Sequence, residues 1–271
     1  MPAEGAVNSR SFDVYLKNLC LWYDEHLLFH NLNWSLPSQQ WTCLLGQSGI
    51  GKSTLLRLIT GLSAKNSKLQ GTVLITKPLA YLGQNDALLP WLTVFDNACL
   101  SARLGSYSKT EKRMIKKRAQ YLLQRVGLEA VSNFYPRQLS GGMRQRVALV
   151  RTLVEENPLI VMDEPFSRLD AITRYQLQNL AVELLKNKTV LFVTHDPAEA
   201  LRLGDRIDLL SGQPATIKTF ARFTTSGPRD LSSPEILTLQ KKLYQILSAA
   251  YSNHSGLQST DHPFALKTAD Q

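Results

Sequence analysis

The chain has 271 residues, of which 44% are hydrophobic, and its 31 basic and 22 acidic side chains give a net charge of +9 at neutral pH. This length and apolar content allow a buried core, which argues against a disordered chain, and the positive charge favours an anionic partner such as a nucleotide, a nucleic acid or a lipid headgroup surface. The apolar runs are far shorter than the roughly 20 residues of a membrane-spanning helix, so the chain is not expected to cross a bilayer by itself.

The amino-terminal residues 1–11 are small and polar and lack the apolar stretch of a secretory signal. They predict a flexible N-terminus on a cytosolic protein. The cysteines are odd in number, lie far apart and show no metal-ligand spacing, which is typical of reduced thiols. They are Cys20, Cys43 and Cys99.

Short apolar or alternating segments bounded by turn residues predict strands. They lie at residues 13–21, 41–45, 159–162, 189–194 and 207–210. Helical spacing predicts helices at residues 52–60, 172–185 and 197–203. Because strands alternate with helices, we expect an α/β fold with a mostly parallel sheet, helices on both faces and an antiparallel β edge near the first strand.

Residues 85–157 show no convincing strand and predict an α-helical subdomain, inserted into a core of residues 12–84 and 158–215. One helix of this subdomain has an apolar face. Its members are Ile115, Ala119, Leu122, Leu123 and Val126. The same helix carries six basic residues, which we interpret as a solvated face.

Residues 216–271 predict a short C-terminal extension beyond the α/β domain of residues 12–215. The extension contains one helix, since Ser233 and Pro234 are residue types favoured at a helix cap and at the first helical position.

A phosphate-binding loop follows the predicted strand 41–45 and leads into a helix. Two glycines separated by four residues and followed by Lys and Ser match the P-loop pattern. The predicted nucleotide-binding residues are Gly46, Gln47, Ser48, Gly49, Ile50, Gly51, Lys52, Ser53 and Thr54. The loop directs N–H groups and the helix dipole at phosphate oxygens. Lys52 adds a cation and Ser53 a hydroxyl suited to Mg²⁺, so the sequence predicts a P-loop NTPase of the RecA-like type.

Polar side chains follow two further predicted strands. Asp163 and Glu164 come directly after strand 159–162, and His195 comes after strand 189–194. Ligands of α/β proteins gather at the carboxyl edge of the sheet, where these residues would lie. We expect Asp163 to steady Mg²⁺ and Glu164 to polarise the water that attacks the γ-phosphate.

Residues 139–146, LSGGMRQR, resemble the signature sequence of ABC ATPases, which other P-loop proteins lack. A serine and two glycines at a helix start expose N–H groups and a dipole to an anion, so this segment is a second phosphate-binding element. In the family, each signature segment caps the ATP bound to the other subunit. The resemblance therefore implies a homodimer closed by two ATP molecules, with nucleotide bound by Ser140, Gly141, Gly142 and Gln145.

Further landmarks of this family follow in order along residues 12–210. The resemblance implies that Gln84 belongs to the Q-loop, Asp170 to the nucleotide-binding D-loop, and His195 to the switch. It also implies that Tyr23 stacks on adenine. The implied catalytic residues are Lys52, Gln84, Glu164 and His195, and the implied metal-binding residues are Ser53, Gln84 and Asp163.

A narrower resemblance is carried by residues 88–97, LLPWLTVFDN, and by residues 162–166, MDEPF. These segments look like those of importers of the nitrate, sulfonate, taurine and thiamine-precursor group. The resemblance implies permease subunits as partners, with the Trp91 segment docking on them, an external solute-binding protein, and a place on the cytoplasmic face of the inner membrane. The alternative is that Trp91 is buried in the core of the α-helical subdomain and has no role in docking. In the D-loop, Arg168 replaces the usual small residue and puts communication between the two ATP sites in doubt.

Two other functions remain open at this level. Exporter ATPases share the same catalytic residues, and only the Trp91 and Phe166 segments favour import. Some ABC ATPases act on nucleic acid instead of transporting a solute. The translation type carries two ATPase units and the repair type a long coiled-coil insertion, whereas each motif occurs once here and no such insertion is seen, so no direct nucleic-acid partner is expected.

Overall fold

The computed structural model describes residues 12–62 and 67–255, and the predicted flexible N-terminus lies outside this part. Its strands are β1 (Phe12–Tyr23), β2 (His26–Pro37), β3 (Trp41–Gly46), β4 (Ser67–Ile75), β5 (Leu79–Leu82), β6 (Leu159–Asp163), β7 (Thr189–Thr194), β8 (Arg206–Ser211) and β9 (Thr216–Arg222). Its α-helices are α1 (Lys52–Ile59), α2 (Val94–Ala98), α3 (Leu100–Leu104), α4 (Lys109–Arg125), α5 (Gly141–Leu153), α6 (Ala171–Leu184), α7 (Pro197–Leu203) and α8 (Pro234–Ser255).

The strands form two sheets. The larger sheet has the order β5-β6-β7-β3-β8-β9, in which every neighbouring pair is parallel except the antiparallel pair β8 and β9. The smaller sheet has the order β2-β1-β4 and is antiparallel throughout. The predicted strands are all present, and the mostly parallel α/β fold is confirmed. Four strands were not predicted, namely β2, β4, β5 and β9.

The central strands are buried on both faces, and this explains their continuous apolar sequences. Side chains alternate along a strand, so successive residues face two different cores. Phe192 belongs to the core on the side of the α-helical subdomain, together with buried residues of α5 and α7. Leu191 and Val193 belong to the other core, which includes α1 and the smaller sheet.

Residues 85–157 contain no strand, as predicted. Helix α4 begins with a capping box, in which the Ser108 side chain accepts from the backbone N–H of Glu111 and the Glu111 side chain accepts from the backbone N–H of Ser108. Its predicted apolar face is buried. Four of the six basic residues are exposed, which agrees with a solvated face, namely Lys109, Arg113, Lys116 and Lys117.

The C-terminal extension contributes strand β9 and the predicted helix, α8. Ile236 and Leu243 of α8 are buried in the core that contains α7. Arg229, between β9 and α8, donates to the carbonyl oxygens of Leu201 and Gly204, at distances of 3.1 and 2.7 Å. These contacts satisfy carbonyl groups at the end of α7, the helix that begins just after His195. Within the described residues, no helix is long and apolar enough to cross a membrane.

Candidate active site

The P-loop is shaped by two glycines with positive φ. Strand β3 ends at Gly46, and α1 begins at Lys52. Between them, Gly49 has a φ of 79° and Gly51 a φ of 105°, a region that residues with a Cβ rarely adopt. The loop therefore curls between a parallel strand and a helix N-terminus, the arrangement that directs backbone N–H groups at an anion.

Lys52 lies inside the curl of this loop. Its Nζ atom donates to the carbonyl oxygens of Gly46 and Gln47, both at 2.7 Å, and the residue is only 7% exposed. Burial lowers the pKa of the Lys52 ammonium, although the nearby carboxylates Glu164 and Asp163 oppose this shift. These contacts hold the lysine against the loop that would surround the phosphates.

Asp163 is buried beside Ser53, the residue that follows Lys52 in the P-loop segment. Asp163 ends β6 and is 3% exposed, and its carboxylate accepts a hydrogen bond from the Ser53 side chain. Burial raises the pKa of Asp163, whereas the Ser53 hydrogen bond opposes the rise.

Glu164 is held by side chains from the ends of two other strands. Its backbone has a φ of 49°, which is uncommon for a residue with a Cβ, and its N–H donates to the carbonyl oxygen of Val193 at 2.9 Å. Oε2 of Glu164 lies 3.5 Å from the donor Nε2 of Gln84, and Oε1 lies 2.9 Å from Nδ1 of His195. This places a carboxylate near the P-loop in a defined orientation.

A cleft of about 570 Å³ brings most of the predicted site residues together. Its lining includes Tyr23, Ser48, Gly49, Gly51, Lys52, Ser53, Thr54, Gln84 and Glu164. Tyr23 ends β1 and is 46% exposed, which leaves its ring open to a ligand. The lining also contains three residues that no sequence motif indicated, namely His26, Leu28 and Arg57.

Two residues of the P-loop segment point elsewhere. Ile50 is 6% exposed and packs in the core with α1, and Gln47 is 8% exposed. Their predicted contribution to a nucleotide site would therefore come from the backbone.

The signature residues do not line this cleft. Ser140 caps α5, since its Oγ accepts from the N–H of Met143 at 3.2 Å, and Gly141 and Gly142 form the first turn. Gln145 was expected to bind nucleotide, but its side chain is 2% exposed and donates to the carbonyl of Pro165 at 2.9 Å. Its amide therefore joins α5 to the segment after Glu164, and we propose that it supports the site without contacting the nucleotide.

Asp170, the D-loop aspartate, lies at the start of α6. Its Oδ1 accepts from the N–H of Thr173 at 3.0 Å, so it serves as the N-cap. This hydrogen bond lowers the pKa of Asp170. Residues 164–170 thus connect the Glu164 carboxylate to a capped helix.

The P-loop, the held carboxylate and a separate capped signature helix are the arrangement that the sequence resemblance implies. Residues 29–167 match the family model described as ABC transporter. The chain belongs to the ABC transporter family of ATP-binding proteins. It is accordingly an ABC-type ATPase subunit.

Sequence relatives align with most of the length of this chain. An uncharacterized ABC transporter ATP-binding protein of Haemophilus influenzae is 45% identical, over 86% of this chain and 98% of that protein. The aliphatic sulfonates import ATP-binding protein SsuB 1 of Paracoccus denitrificans is 36% identical, over 86% of this chain and 93% of that protein.

Solved ABC structures share the fold. A dimeric ATP-binding cassette in a post-hydrolysis state, bound to ADP and Pi, is 30% identical and aligns with a TM-score of 0.66, over 78% of this chain and all of that one. A putative metal-chelate type ABC transporter in an inward-facing conformation is 26% identical and aligns with a TM-score of 0.65, over 85% of this chain and 89% of that chain.

Proposed function

We propose that this ABC ATPase binds ATP with Mg²⁺, closes as a dimer around two ATP molecules, and drives permease subunits that import a small solute. The single observation that carries the catalytic part is the position of Glu164, which lines the P-loop cleft and is held by both Gln84 and His195. A fixed carboxylate beside a phosphate-binding loop suits phosphoryl transfer to water, which depends on positioning and on charge stabilisation.

Each cleft residue has a proposed role. Glu164 orients the attacking water. His195 and Gln84 hold the carboxylate of Glu164 in place. Lys52 stabilises negative charge on the β- and γ-phosphates together with the N–H groups of the P-loop. Tyr23, exposed at the rim, stacks on adenine.

The residues present fit a magnesium ion. Ser53 and Asp163 are hydrogen-bonded to each other and offer oxygen atoms, the ligands that Mg²⁺ prefers, and Gln84 lines the same cleft with an amide oxygen. The described residues contain no cluster of three or more His, Cys, Asp or Glu that could hold a metal alone, so nucleotide phosphates would complete the site. When bound, Mg²⁺ neutralises charge that develops on the phosphates.

The proposed dimer is supported by the separation of the two anion-binding elements. Ser140, Gly141 and Gly142 lie at the start of α5 and do not line the P-loop cleft of their own chain. A second copy can present this helix start to the bound nucleotide. A solved cassette that resembles this chain is dimeric, which supports the proposal.

Import is favoured by the names of the relatives, and permease docking is favoured by one exposed side chain. Several relatives are named aliphatic sulfonates import ATP-binding proteins, with 33 to 39% identity. Trp91 follows the Q-loop and is 69% exposed, which is unusual for tryptophan and contradicts the alternative of a subdomain core. We propose that this segment docks on the permease at the cytoplasmic face of the inner membrane, and that an external solute-binding protein delivers a sulfonate, taurine, nitrate or thiamine-precursor solute.

The test is ATP hydrolysis by the chain purified with its membrane partners and placed in vesicles. We expect one solute of the group, supplied with its binding protein on the external side, to stimulate hydrolysis severalfold. The Lys52→Ala variant should lose turnover under the same conditions, and the exposed-surface control Lys117→Ala should keep it. Stimulation by a solute only from the cytoplasmic side would favour export, and stimulation by nucleic acid would remove the transport assignment.

A further inference from the structure

Arg168 turns back onto its own subunit. Its Nη2 atom donates to Oδ1 of Asn85 at 3.2 Å, and its Nη1 atom lies 4.0 Å from Oδ2 of Asp86. Asn85 and Asp86 directly follow Gln84 in the chain. The contacts of this unusual D-loop residue are therefore made to the segment after the Q-loop glutamine, over a separation of 83 residues.

The same segment is also held by α5. Arg144 donates from Nε to Oδ2 of Asp86 at 3.0 Å, and Arg151 donates to the carbonyl oxygens of Asp86 and Ala87 at 2.6 and 2.8 Å. The two arginines lie about two helical turns apart, so they share one face of α5. Ala87 has a φ of 45°, a conformation that costs energy for a residue with a Cβ, and the fork of Arg151 holds it there.

These contacts, together with the backbone, form a closed set of interactions that includes the candidate catalytic residue Glu164. Gln84 reaches Oε2 of Glu164 directly. Ser167, next to Arg168, donates from both N–H and Oγ to the carbonyl of Glu164, at 3.3 and 3.0 Å. The segment of Gln84 and the segment of Glu164 are thus joined twice, once by the Gln84–Glu164 contact and once by the contact between Arg168 and Asn85.

We propose that Arg168 is a positioning residue that fixes the D-loop relative to Gln84, and thereby sets the distance between Gln84 and Glu164. The proposal rests on the ATPase function proposed above. A displacement of residues 85–87, which lie between Gln84 and the exposed Trp91 segment, would be passed through Arg168 to the D-loop.

The energy involved is modest. The side chains of Arg168 and Asp86 are 42% and 19% exposed, so solvent and salt screen their interaction. Arg168 does not line the nucleotide cleft, and its loss should leave ATP binding intact. We therefore expect a change in kcat at constant KM, the pattern of an interaction that matters only in the transition state.

The experiment compares ATP hydrolysis by purified full-length chains. Arg168→Ala should lower kcat about threefold to tenfold without changing KM for ATP. Arg168→Lys loses the forked donor, so its kcat should lie between those of wild type and Arg168→Ala. Adding Asn85→Asp to Arg168→Lys should restore kcat, because an ammonium then pairs with a carboxylate. Arg113→Ala, on the exposed face of α4, is the matched control and should behave as wild type.

A double-mutant cycle sharpens the test. The double variant Asn85→Ala, Arg168→Ala should have the same kcat as Arg168→Ala alone, because both substitutions remove the same contact. Additive losses, or no rescue by Asn85→Asp, would overturn the inference. So would an Arg168→Ala variant that matches Arg113→Ala in kcat. Absence of ATP hydrolysis in the wild-type chain and in all variants would instead contradict the proposed function.

Discussion

Nδ1 of His195 lies 2.9 Å from Oε1 of Glu164, and the other carboxylate oxygen faces the amide of Gln84. The three residues follow the ends of β7, β6 and β5, neighbouring parallel strands of one sheet. Because the carboxyl ends of parallel strands meet at the same edge, the topology alone brings these side chains together. Glu164, which has a positive φ, lines the cleft beside the P-loop.

Replacing Glu164 with glutamine should stop turnover while keeping the shape of the site. The amide cannot accept a proton from the attacking water, so we expect kcat to fall by about 10² to 10⁴. ATP should still bind, and a dimer with trapped ATP should appear in size-exclusion chromatography with light scattering. Glu129→Gln, at an exposed position, is the control. Unchanged turnover in Glu164→Gln would sink the assignment of this residue.

His195→Ala removes one of the two groups that hold the Glu164 carboxylate. We expect kcat to fall about tenfold or more, with a smaller change in KM for ATP, because the residue acts on the water-activating group. The measurement is steady-state phosphate release. His30→Ala, in an exposed position of β2, should leave the rate unchanged. Equal rates in the two variants would contradict the proposal that His195 holds the Glu164 carboxylate in place.

Much of the site was predictable because its motifs are local. The P-loop, Asp163, Glu164 and His195 each lie within a few residues of a strand end, and buried parallel strands are readable from their apolar runs. Their meeting at one sheet edge follows from the parallel arrangement.

The missed parts depend on tertiary contacts or on irregular strands. Strand β2 was not predicted because two successive polar residues, His30 and Asn31, are both exposed and interrupt the alternation of buried and exposed residues. His26 and Leu28 of that strand were consequently missed as cleft residues. The partners of Arg168 and Gln145 lie 83 and 20 residues away, and no local pattern indicates such a contact.

Asp13 joins the two sheets and should make stability depend on pH. Burial raises its pKa, but hydrogen bonds from Thr189, Lys77 and Ser38 outweigh burial, so the pKa of Asp13 lies below its usual value. A carboxyl with a lowered folded-state pKa adds stability above its unfolded pKa, near 3.9, and this stability is lost as the pH falls through the folded value. We expect Asp13→Asn to lower the free energy of unfolding at pH 7 by about 1–3 kcal/mol.

Denaturant unfolding at several pH values checks this expectation. The difference between Asp13→Asn and wild type should begin to shrink below about pH 4, where the carboxyl of the unfolded chain becomes protonated, and should shrink further until the folded-state carboxyl is protonated at a lower pH. Asp24→Asn, in the exposed turn after β1, is the matched control and should change stability little. A difference that stays constant down to pH 2 would show that the charge of Asp13 contributes nothing.

Trp91 provides the test of permease docking. A 69% exposed tryptophan can bury a large apolar area against a partner, and truncation of such anchors often costs 2 kcal/mol or more. We expect Trp91→Ala to weaken co-purification of the permease about 30-fold, while thermal unfolding of the isolated chain stays near wild type because little buried area is lost. Tyr244→Ala, which removes a 51% exposed aromatic side chain from α8, is the control. Equal permease recovery by the two variants would place the docking surface elsewhere.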